Sequence, residues 1–227
     1  MNKKTQGTQR RDESLSRERI IEAAIEILDS TGESGLTFRS LSEKLATGPG
    51  AIYWHIADKS DLLTAACDAI VARTVDAQAR DTTPKSGIRK LALGIFDMME
   101  AHPWAGSALI RAGGKMPIVR ILERVGPHVD ALGVPKSKQW ATVSALLNYM
   151  LGVGAQNAAN TLLARSGEVR RSELLDGVSA AWSQLDPANY PYTRSMASYL
   201  LAHDDRKDFL AGIDLILSGI DSGRNTN

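Results

Sequence analysis

The sequence predicts an all-α fold, and three observations lead to that class. Hydrophobic residues make up 43% of the 227 residues while aromatic residues make up 5%. Proline is sparse, with 8 residues. No run of five or more residues alternates between apolar and polar side chains, which is the pattern of a half-buried strand. The chain is long enough to bury a sizeable core, and its apolar content excludes a disordered chain.

The overall charge and the cysteine content exclude several classes of protein. The chain carries 27 Lys and Arg against 26 Asp and Glu, a net charge of +1, so any contact with nucleic acid must depend on local charge. Its one cysteine, Cys67, excludes an intrachain disulfide framework and a multi-cysteine zinc site. The N-terminal residues are polar and lack the apolar core of a secretory signal, which predicts a cytoplasmic location.

The first elements are a basic tail and a capped helix. Residues 1–15 hold four cations and too few apolar side chains to pack, and they predict a flexible tail. Ser16 is the predicted N-cap of a helix over residues 17–30, and Thr31-Gly32 ends this helix.

Two short helices follow, joined by a tight turn. Thr37 caps a helix over residues 38–45, Thr47-Gly48-Pro49-Gly50 forms the connection, and residues 51–55 (AIYWH) form the second helix. Two short helices joined by a turn that contains glycine predict a helix-turn-helix. Four apolar side chains would form its core: Leu36, Leu41, Leu45 and Ile52. A longer helix is predicted over residues 62–79.

A helix-turn-helix places its second helix in the major groove of DNA. In that arrangement Tyr53, Trp54 and His55 supply hydrogen-bond donors and flat surfaces near the sugar-phosphate backbone. Lys59 supplies a charge there, and Arg39 reaches a base or a phosphate. Residues 1–61 hold 9 cations and 10 acids, so we expect a modest dependence of DNA affinity on salt.

The stretch LTFRSLSEKLATGPGAIYWHIADKSDLL (36–63) resembles the DNA-binding domain of the tetracycline-repressor (TetR) family, and the resemblance covers residues 17–65. It implies a dimeric, ligand-responsive transcription repressor. By the positions of the motif, the first short helix opens with Thr37, Phe38 and Arg39, and the groove-facing start of the second consists of Pro49, Gly50 and Ala51. The predicted DNA contacts are therefore Thr37, Phe38, Arg39, Thr47, Pro49, Gly50, Ala51, Tyr53, Trp54, His55 and Lys59.

The groove-facing residues differ from those of the tetracycline repressor. Pro49, Gly50 and Ala51 cannot form a bidentate hydrogen bond with a base. We expect base readout to depend on Arg39, on contacts between Ala51 and thymine methyl groups, and on the shape of the DNA.

Seven further helices are predicted after the joint at Thr82-Thr83-Pro84. They cover residues 85–101, 104–112, 117–132, 137–165, 169–185, 192–202 and 205–221. Residues 139–164 carry no Asp, Glu, Lys or Arg. This run is long enough to cross a bilayer, but its amides are costly in hydrocarbon. It predicts instead a helix buried on most sides, with one face against a second subunit.

The last predicted helix is apolar over a wide arc, as a helix with neighbours on two sides must be. FLAGIDLILSGI (209–220) and ALLNYMLGVGAQ (145–156) resemble the dimerisation helices of TetR-like proteins, more weakly than the N-terminal match. Two helices per subunit would form a four-helix bundle about a two-fold axis, which predicts a homodimer and a palindromic operator. The predicted dimer interface contains Leu151, Ala155, Ala159, Phe209, Ile213, Ile216, Leu217 and Ile220.

The helices between 85 and 132 are predicted to form the walls of a chamber for a small, partly apolar effector. Methionine and tryptophan give adaptable apolar contacts, and histidine and amides fix orientation. The candidate lining residues are Met98, His102, Trp104, Met116, Trp140, Asn148 and Gln156. Each of the methionines and tryptophans also fits an ordinary core position.

The sequence contains no motif for catalysis or for a metal. The four histidines are not spaced as metal ligands, and no nucleophile motif is present, so neither a catalytic residue nor a cofactor is predicted. We divide the sequence into a basic tail (1–15), a helix-turn-helix domain (16–64), a ligand-binding and dimerisation domain (65–221) and a disordered C-terminal tail (222–227).

The predicted function is that of a ligand-responsive, sequence-specific DNA-binding regulator, a homodimeric repressor that a small molecule releases from its operator. Two alternatives are left open by the sequence. One is a DNA-binding regulator without a small ligand, and the other is an all-helical enzyme or carrier.

Overall fold

The structure, a computed structural model, describes residues 15–77, 83–165 and 170–222. Over these residues it contains helices and no strand, as the sequence predicts. Of the predicted tails (1–15 and 222–227), residues 1–14 and 223–227 lie outside the described residues. The elements in chain order are α1 (Arg17–Gly35), α2 (Phe38–Lys44), α3 (Pro49–Tyr53), α4 (Lys59–Asp76), α5 (Pro84–Ala101), α6 (Trp104–Arg111), α7 (Met116–Ala131), α8 (Lys136–Arg165), α9 (Arg171–Ser183), α10 (Pro191–Met196), a 3-10 helix (Ala197–Ala202) and α11 (Asp205–Ser222).

The chain divides into two compact units, one that ends at Ile70 and one that begins at Val71. The division falls within α4, so this helix contributes its first residues to one unit and its last residues to the other. The domain boundary predicted from the sequence lies between residues 64 and 65.

Helix α1 begins and breaks where the sequence predicts. The hydroxyl of Ser16 accepts a hydrogen bond from the N–H of Arg19, which satisfies one of the free donors at the helix start. Gly32 has φ +68°, a conformation that side chains disfavour. The helical geometry is therefore interrupted at Gly32, although helical hydrogen bonding resumes as far as Gly35.

The first unit is built around a small core behind α2 and α3. Leu36, Leu41 and Ile52 are fully buried, as predicted, and Leu45 is half-buried. The turn between the two helices is closed by a hydrogen bond from the N–H of Thr47 to the carbonyl of Ser42, 3.0 Å long.

The second unit is built around α8, which packs against α5, α6, α7 and α11. The helices approach closely where small residues meet. A Cβ at Gly106 would lie 2.9 Å from the Cα of Ala155, so a larger residue at Gly106 would push α6 away from α8. The 30 residues of α8 confirm the long helix predicted from the charge-free run.

Aromatic residues join α5, α8 and α11. The ring centroid of Phe209 lies 4.8 Å from that of Phe96 and 5.6 Å from that of Tyr149. The hydroxyl of Tyr149 donates a hydrogen bond to the carbonyl of Phe209, 3.2 Å away. These contacts fix which face of α11 points into the subunit.

The segment predicted as one helix over residues 192–202 consists of two elements. α10 ends at Met196, and the chain continues as a 3-10 helix. Ser179 of α9 donates a hydrogen bond to the carbonyl of Ala197, 2.8 Å away. This buried contact lies where the helical geometry changes.

We expect the substitution Ala46→Gly to stabilise the first unit. Ala46, in the turn between α2 and α3, has φ +50°, a conformation that costs an alanine about 1–2 kcal/mol and that glycine adopts freely. Since glycine loses more entropy on folding, the net gain is about 0.5–1 kcal/mol. Thermal unfolding followed by circular dichroism measures the change.

Ala69→Gly is the matched control. Ala69 is a half-buried residue of α4 with helical geometry, so the same substitution should destabilise by about 1 kcal/mol. If both variants lost stability, the turn would not hold Ala46 in the left-handed conformation.

Candidate nucleic-acid interface

The start of α2 is fixed by a reciprocal pair of hydrogen bonds. The hydroxyl of Thr37 accepts a hydrogen bond from the N–H of Ser40, and the hydroxyl of Ser40 accepts one from the N–H of Thr37, each 3.0 Å long. Such a capping box satisfies two donors that the helix leaves free. Thr37, predicted to contact DNA, therefore has a structural role at the start of α2.

Two of the predicted DNA contacts stack on each other. The rings of Phe38 and Tyr53 lie 4.4 Å apart and are nearly parallel, with an angle of 12° between their planes. The stack joins the beginning of α2 to the end of α3, so it sets the position of one helix against the other. The sequence places both residues at helix ends, but nothing in it indicates that they meet.

The end of α3 carries a group of exposed side chains. Trp54 is 89% exposed and Tyr53 is 55% exposed, and His55 is exposed beside them. Large aromatic side chains in water are costly unless a partner covers them. The three residues together offer flat surfaces and hydrogen-bond donors to a polyanion.

The start of α3 carries only small side chains. Pro49 and Gly50 are exposed, and Ala51 and Thr47 are half-buried. A Cβ added at Gly48 or at Gly50 would meet no protein atom within 4 Å. Neither glycine is needed for packing within the chain, and the space that each leaves is open to a partner.

Arg39 and Lys59, which are predicted to contact DNA, and Lys44 of α2 have different surroundings. Arg39 is 88% exposed, and its Nε lies 2.9 Å from Glu43 Oε1 one turn along α2. An exposed pair of this kind contributes little to stability, so Arg39 is available to DNA. Lys59 donates a hydrogen bond to the carbonyl of Glu33, 2.6 Å away, and thereby ties the start of α4 to the end of α1. Lys44 forms a 2.6 Å ion pair with Glu26 of α1.

The predicted effector residues do not converge on one chamber in the described structure. Met98 and Trp104 are buried core residues, 6% and 4% exposed, whereas Met116 and Trp140 lie on the surface at 52% and 71%. The remaining three residues are His102, Asn148 and Gln156. His102 meets Trp104 edge to face with ring centroids 6.2 Å apart, and Asn148 is exposed. Gln156 lines a cavity beside α9 and α11.

The residues predicted for a dimer interface fall into two groups. Phe209, Ile213 and Leu217 are 1%, 0% and 3% exposed, because this face of α11 packs into its own subunit. The other five are at least partly accessible: Leu151, Ala155, Ala159, Ile216 and Ile220. Leu215, which the prediction left out, is 75% exposed. The sequence shows a wide apolar arc on α11 but not which part of it faces inward.

An open groove of about 430 Å³ runs between the first turns of α8 and the end of α11. Its lining is mostly small and apolar: Val134, Pro135, Lys138, Ala141, Thr142, Ala145, Ile216, Gly219 and Ile220. Among the described residues it belongs to the two helices that the sequence assigns to dimerisation.

The thiol of Cys67 is not a reactive nucleophile. Cys67 is fully buried in α4, and desolvation, with a smaller contribution from Asp68, raises its pKa to about 12. Because this pKa lies far above neutral pH, the side chain stays protonated and does not form the thiolate, which is the reactive form.

No group of three or more His, Cys, Asp or Glu side chains is arranged for a metal within the described part of the chain. No helix within the described ranges is long and apolar enough to cross a membrane.

Family profiles match both parts of the chain. The profile described as "Bacterial regulatory proteins, tetR family" matches residues 20–66, and the profile "Tetracyclin repressor-like, C-terminal domain" matches residues 81–223. The first match contains α2 and α3 with their turn. The second spans α5 to α11.

Two relatives match along nearly the whole chain. The solved structure of a TetR transcriptional regulator from Streptomyces coelicolor is 50% identical, superposes with a TM-score of 0.80, and covers 92% of this chain and 99% of its own. The tetracycline repressor protein class D of Escherichia coli is 28% identical over 91% of this chain and 89% of its own length.

A third relative has been solved with DNA. BioQ, in a crystal structure with its natural double-stranded DNA operator, is 30% identical, with a TM-score of 0.58 over 68% of this chain and 94% of its own.

The hydroxyl of Tyr53 can be tested apart from its ring. We expect Tyr53→Phe to preserve the stack on Phe38 and the melting temperature. It should weaken binding to a DNA duplex selected from a random pool by about tenfold, the effect of losing one hydrogen bond to a charged group. Tyr53→Ala should lower both stability and affinity. Fluorescence anisotropy and thermal unfolding measure the two quantities.

Tyr192→Phe is the control, because Tyr192 is 74% exposed on α10 in the second unit. Unchanged affinity in Tyr53→Phe would show that Tyr53 acts only through its ring stack.

Proposed function

The chain belongs to the TetR family of bacterial regulatory proteins, and we propose that it acts as a homodimeric repressor that binds a palindromic operator and releases it when a small molecule binds. Its general role as a DNA-binding transcriptional regulator follows from the family. The observation that carries the finer proposal is the surface of α2 and α3, where exposed aromatic side chains flank a helix start without bulky side chains.

In the proposed complex, α3 enters the major groove with Gly48, Pro49 and Gly50 at its leading end. The absence of side chains on the glycines lets the backbone come close to the base edges. Ala51 supports a contact with a thymine methyl group. Arg39 breaks its ion pair with Glu43 and binds a phosphate or a base instead. It thereby supplies the positive charge at the edge of the groove.

The aromatic group supports contacts with the DNA backbone. Trp54 and His55 carry ring N–H groups, and Tyr53 carries a hydroxyl, so all three can donate to phosphate oxygens. Phosphate contacts of this kind position the protein without reading sequence. The stack of Phe38 on Tyr53 keeps the hydroxyl in a fixed place.

The second unit supports dimerisation through α8 and α11. Exposed, uncharged residues recur along α8 at a spacing of three to four residues, so they lie on one face: Ala141, Ala145, Asn148, Gly152, Gln156 and Ala159. Leu215 projects from α11, and the groove between these helices offers space for a partner side chain. Two copies would form a four-helix bundle, whose two-fold axis makes a palindromic site the matching DNA.

The regulatory step is a shift between two conformations. The effector binds more tightly to the conformation that cannot bind DNA. It lowers the affinity for the operator by at most the ratio of its affinities for the two conformations. α4 supports coupling, because its residues belong to both units. The proposed place of action is the cytoplasm, where the DNA of a bacterial cell lies.

Selection of bound duplexes from a random pool tests the function itself. We expect an enriched sequence with two half-sites related by two-fold symmetry. Arg39→Ala should weaken binding by about tenfold. It should also reduce the slope of log affinity against log salt concentration by about one, because one phosphate contact is lost. Arg170→Ala is the matched control, since Arg170 is 82% exposed and pairs with Glu173 three residues along the chain, much as Arg39 pairs with Glu43 four residues along. No enrichment, or equal loss in both variants, would contradict the proposal.

The dimer has its own test in Leu215→Asp. A carboxylate at the centre of the bundle would be buried without a partner, so we expect monomers in sedimentation at micromolar concentration and weaker operator binding. Leu201→Asp, at a site 57% exposed on the 3-10 helix, should remain dimeric. A dimeric Leu215→Asp protein would place the interface elsewhere.

A further inference from the structure

The second unit contains a cleft beside the C-terminal half of α8. It is a cavity of about 500 Å³ between this part of α8, the end of α5, α9, the 3-10 helix and the start of α11. A second cavity of about 280 Å³ adjoins it toward α11. Five residues line both: Gln156, Asn157, Asn160, His203 and Asp205. The two cavities are therefore lobes of one cleft, and their combined size is typical of a small-molecule site.

One wall of the cleft is apolar. Leu174, Leu175 and Trp182 lie on one face of α9, and Leu200 of the 3-10 helix continues the wall. All four are half-buried, so a large part of their apolar surface faces the cleft rather than other side chains. Covering that surface favours a ligand that is itself mainly apolar.

The opposite wall holds a polar side chain that can bond to a ligand. Asn157 is 8% exposed and lines both lobes of the cleft. Its amide can donate and accept hydrogen bonds. Water can satisfy the amide, but it cannot cover the leucines and the tryptophan opposite. A ligand with both an apolar body and one polar group satisfies both walls.

The charged groups at the end of the cleft already satisfy one another. His203 lies between two carboxylates, with Nε2 2.8 Å from Asp205 Oδ1 and Nδ1 2.5 Å from Asp208 Oδ2. Arg171 Nη2 lies 2.6 Å from Asp205 Oδ2. Glu100, the remaining charged residue of the lining, also has an interaction partner. A neutral ligand can therefore bind at this end of the cleft without breaking an ion pair.

We propose that this cleft binds the small molecule that regulates the protein, and that this molecule is a neutral, mainly apolar, ring-bearing compound with a hydroxyl, amine or carbonyl group that bonds to Asn157. Its role as an effector rests on the proposed function, but its binding does not. Of the residues predicted to line an effector chamber, Gln156 is the one that lines this cleft.

The test uses the intact chain and N-phenyl-1-naphthylamine, a neutral amine with a naphthyl and a phenyl group that fluoresces strongly in apolar surroundings. We expect saturable binding of one probe per subunit. Leu175→Trp fills the apolar lobe and should weaken binding by at least about tenfold. Asn157→Leu removes the hydrogen bond to the amine and should weaken binding by about fivefold.

Each variant has a matched control and a check of folding. Leu201→Trp adds the same side chain on an exposed face, and Gln184→Leu removes an exposed amide at the end of α9; both should bind the probe as the parent chain does. Circular dichroism checks the fold, and Leu174→Phe is a smaller filling variant if Leu175→Trp does not fold.

The outcomes separate the cleft from the regulatory role. No saturable binding, or equal binding by all variants, would overturn the proposed site. Probe binding is measured without DNA, so this result is independent of the operator selection. In the presence of operator, saturating probe should weaken DNA binding by the parent chain and not by Leu175→Trp. Probe binding that leaves operator affinity unchanged would overturn the effector role of the cleft.

Discussion

The architecture of the second unit depends on the cost of burying a charge. α8 packs against four other helices, and a charged side chain on any of those faces would lose its hydration without gaining a partner. The 26 uncharged residues from Gln139 to Ala164 are the result. Small residues among them let the neighbouring helices approach closely, as Ala155 does opposite Gly106.

The same constraint gives α8 two proposed roles without charged residues. One uncharged face is open to a second subunit, where alanine and glycine permit close contact between helices. Near its C-terminal end, polarity returns in the form of amides rather than ions. An amide inside a protein costs less than a charge and still fixes the orientation of a ligand through directed hydrogen bonds. Asn157 therefore suits a site for a neutral molecule.

The sequence predicts the helices of this fold well, because each depends on local signals. Ser16 and Thr37 mark helix starts through their side-chain hydroxyls, Gly32 marks the break in α1 through its backbone conformation, and the positions of the helices follow from apolar spacing. The division of residues 192–202 into an α-helix and a 3-10 helix was not predictable, since it occurs beside a hydrogen bond to Ser179, a residue distant in sequence.

The surfaces are less predictable than the helices. The stack of Phe38 on Tyr53 and the inward face of α11 depend on which elements lie side by side. The residues of the cleft come from five helices, and only the packing of these helices brings Asn157 of α8 and the apolar residues of α9 to one cavity. The sequence identified the exposed aromatic group at the end of α3 because a family motif carries it.

The open space at the start of α3 bears on how the protein can evolve. Gly48 and Gly50 have ordinary backbone conformations, and a side chain added at either position would touch nothing in the chain. Substitutions there carry little folding penalty, unlike those at Phe38 or Leu41. Changes in operator preference can therefore arise by single mutations without a compensating change elsewhere, and gene duplicates can diverge in their targets while they keep the same scaffold.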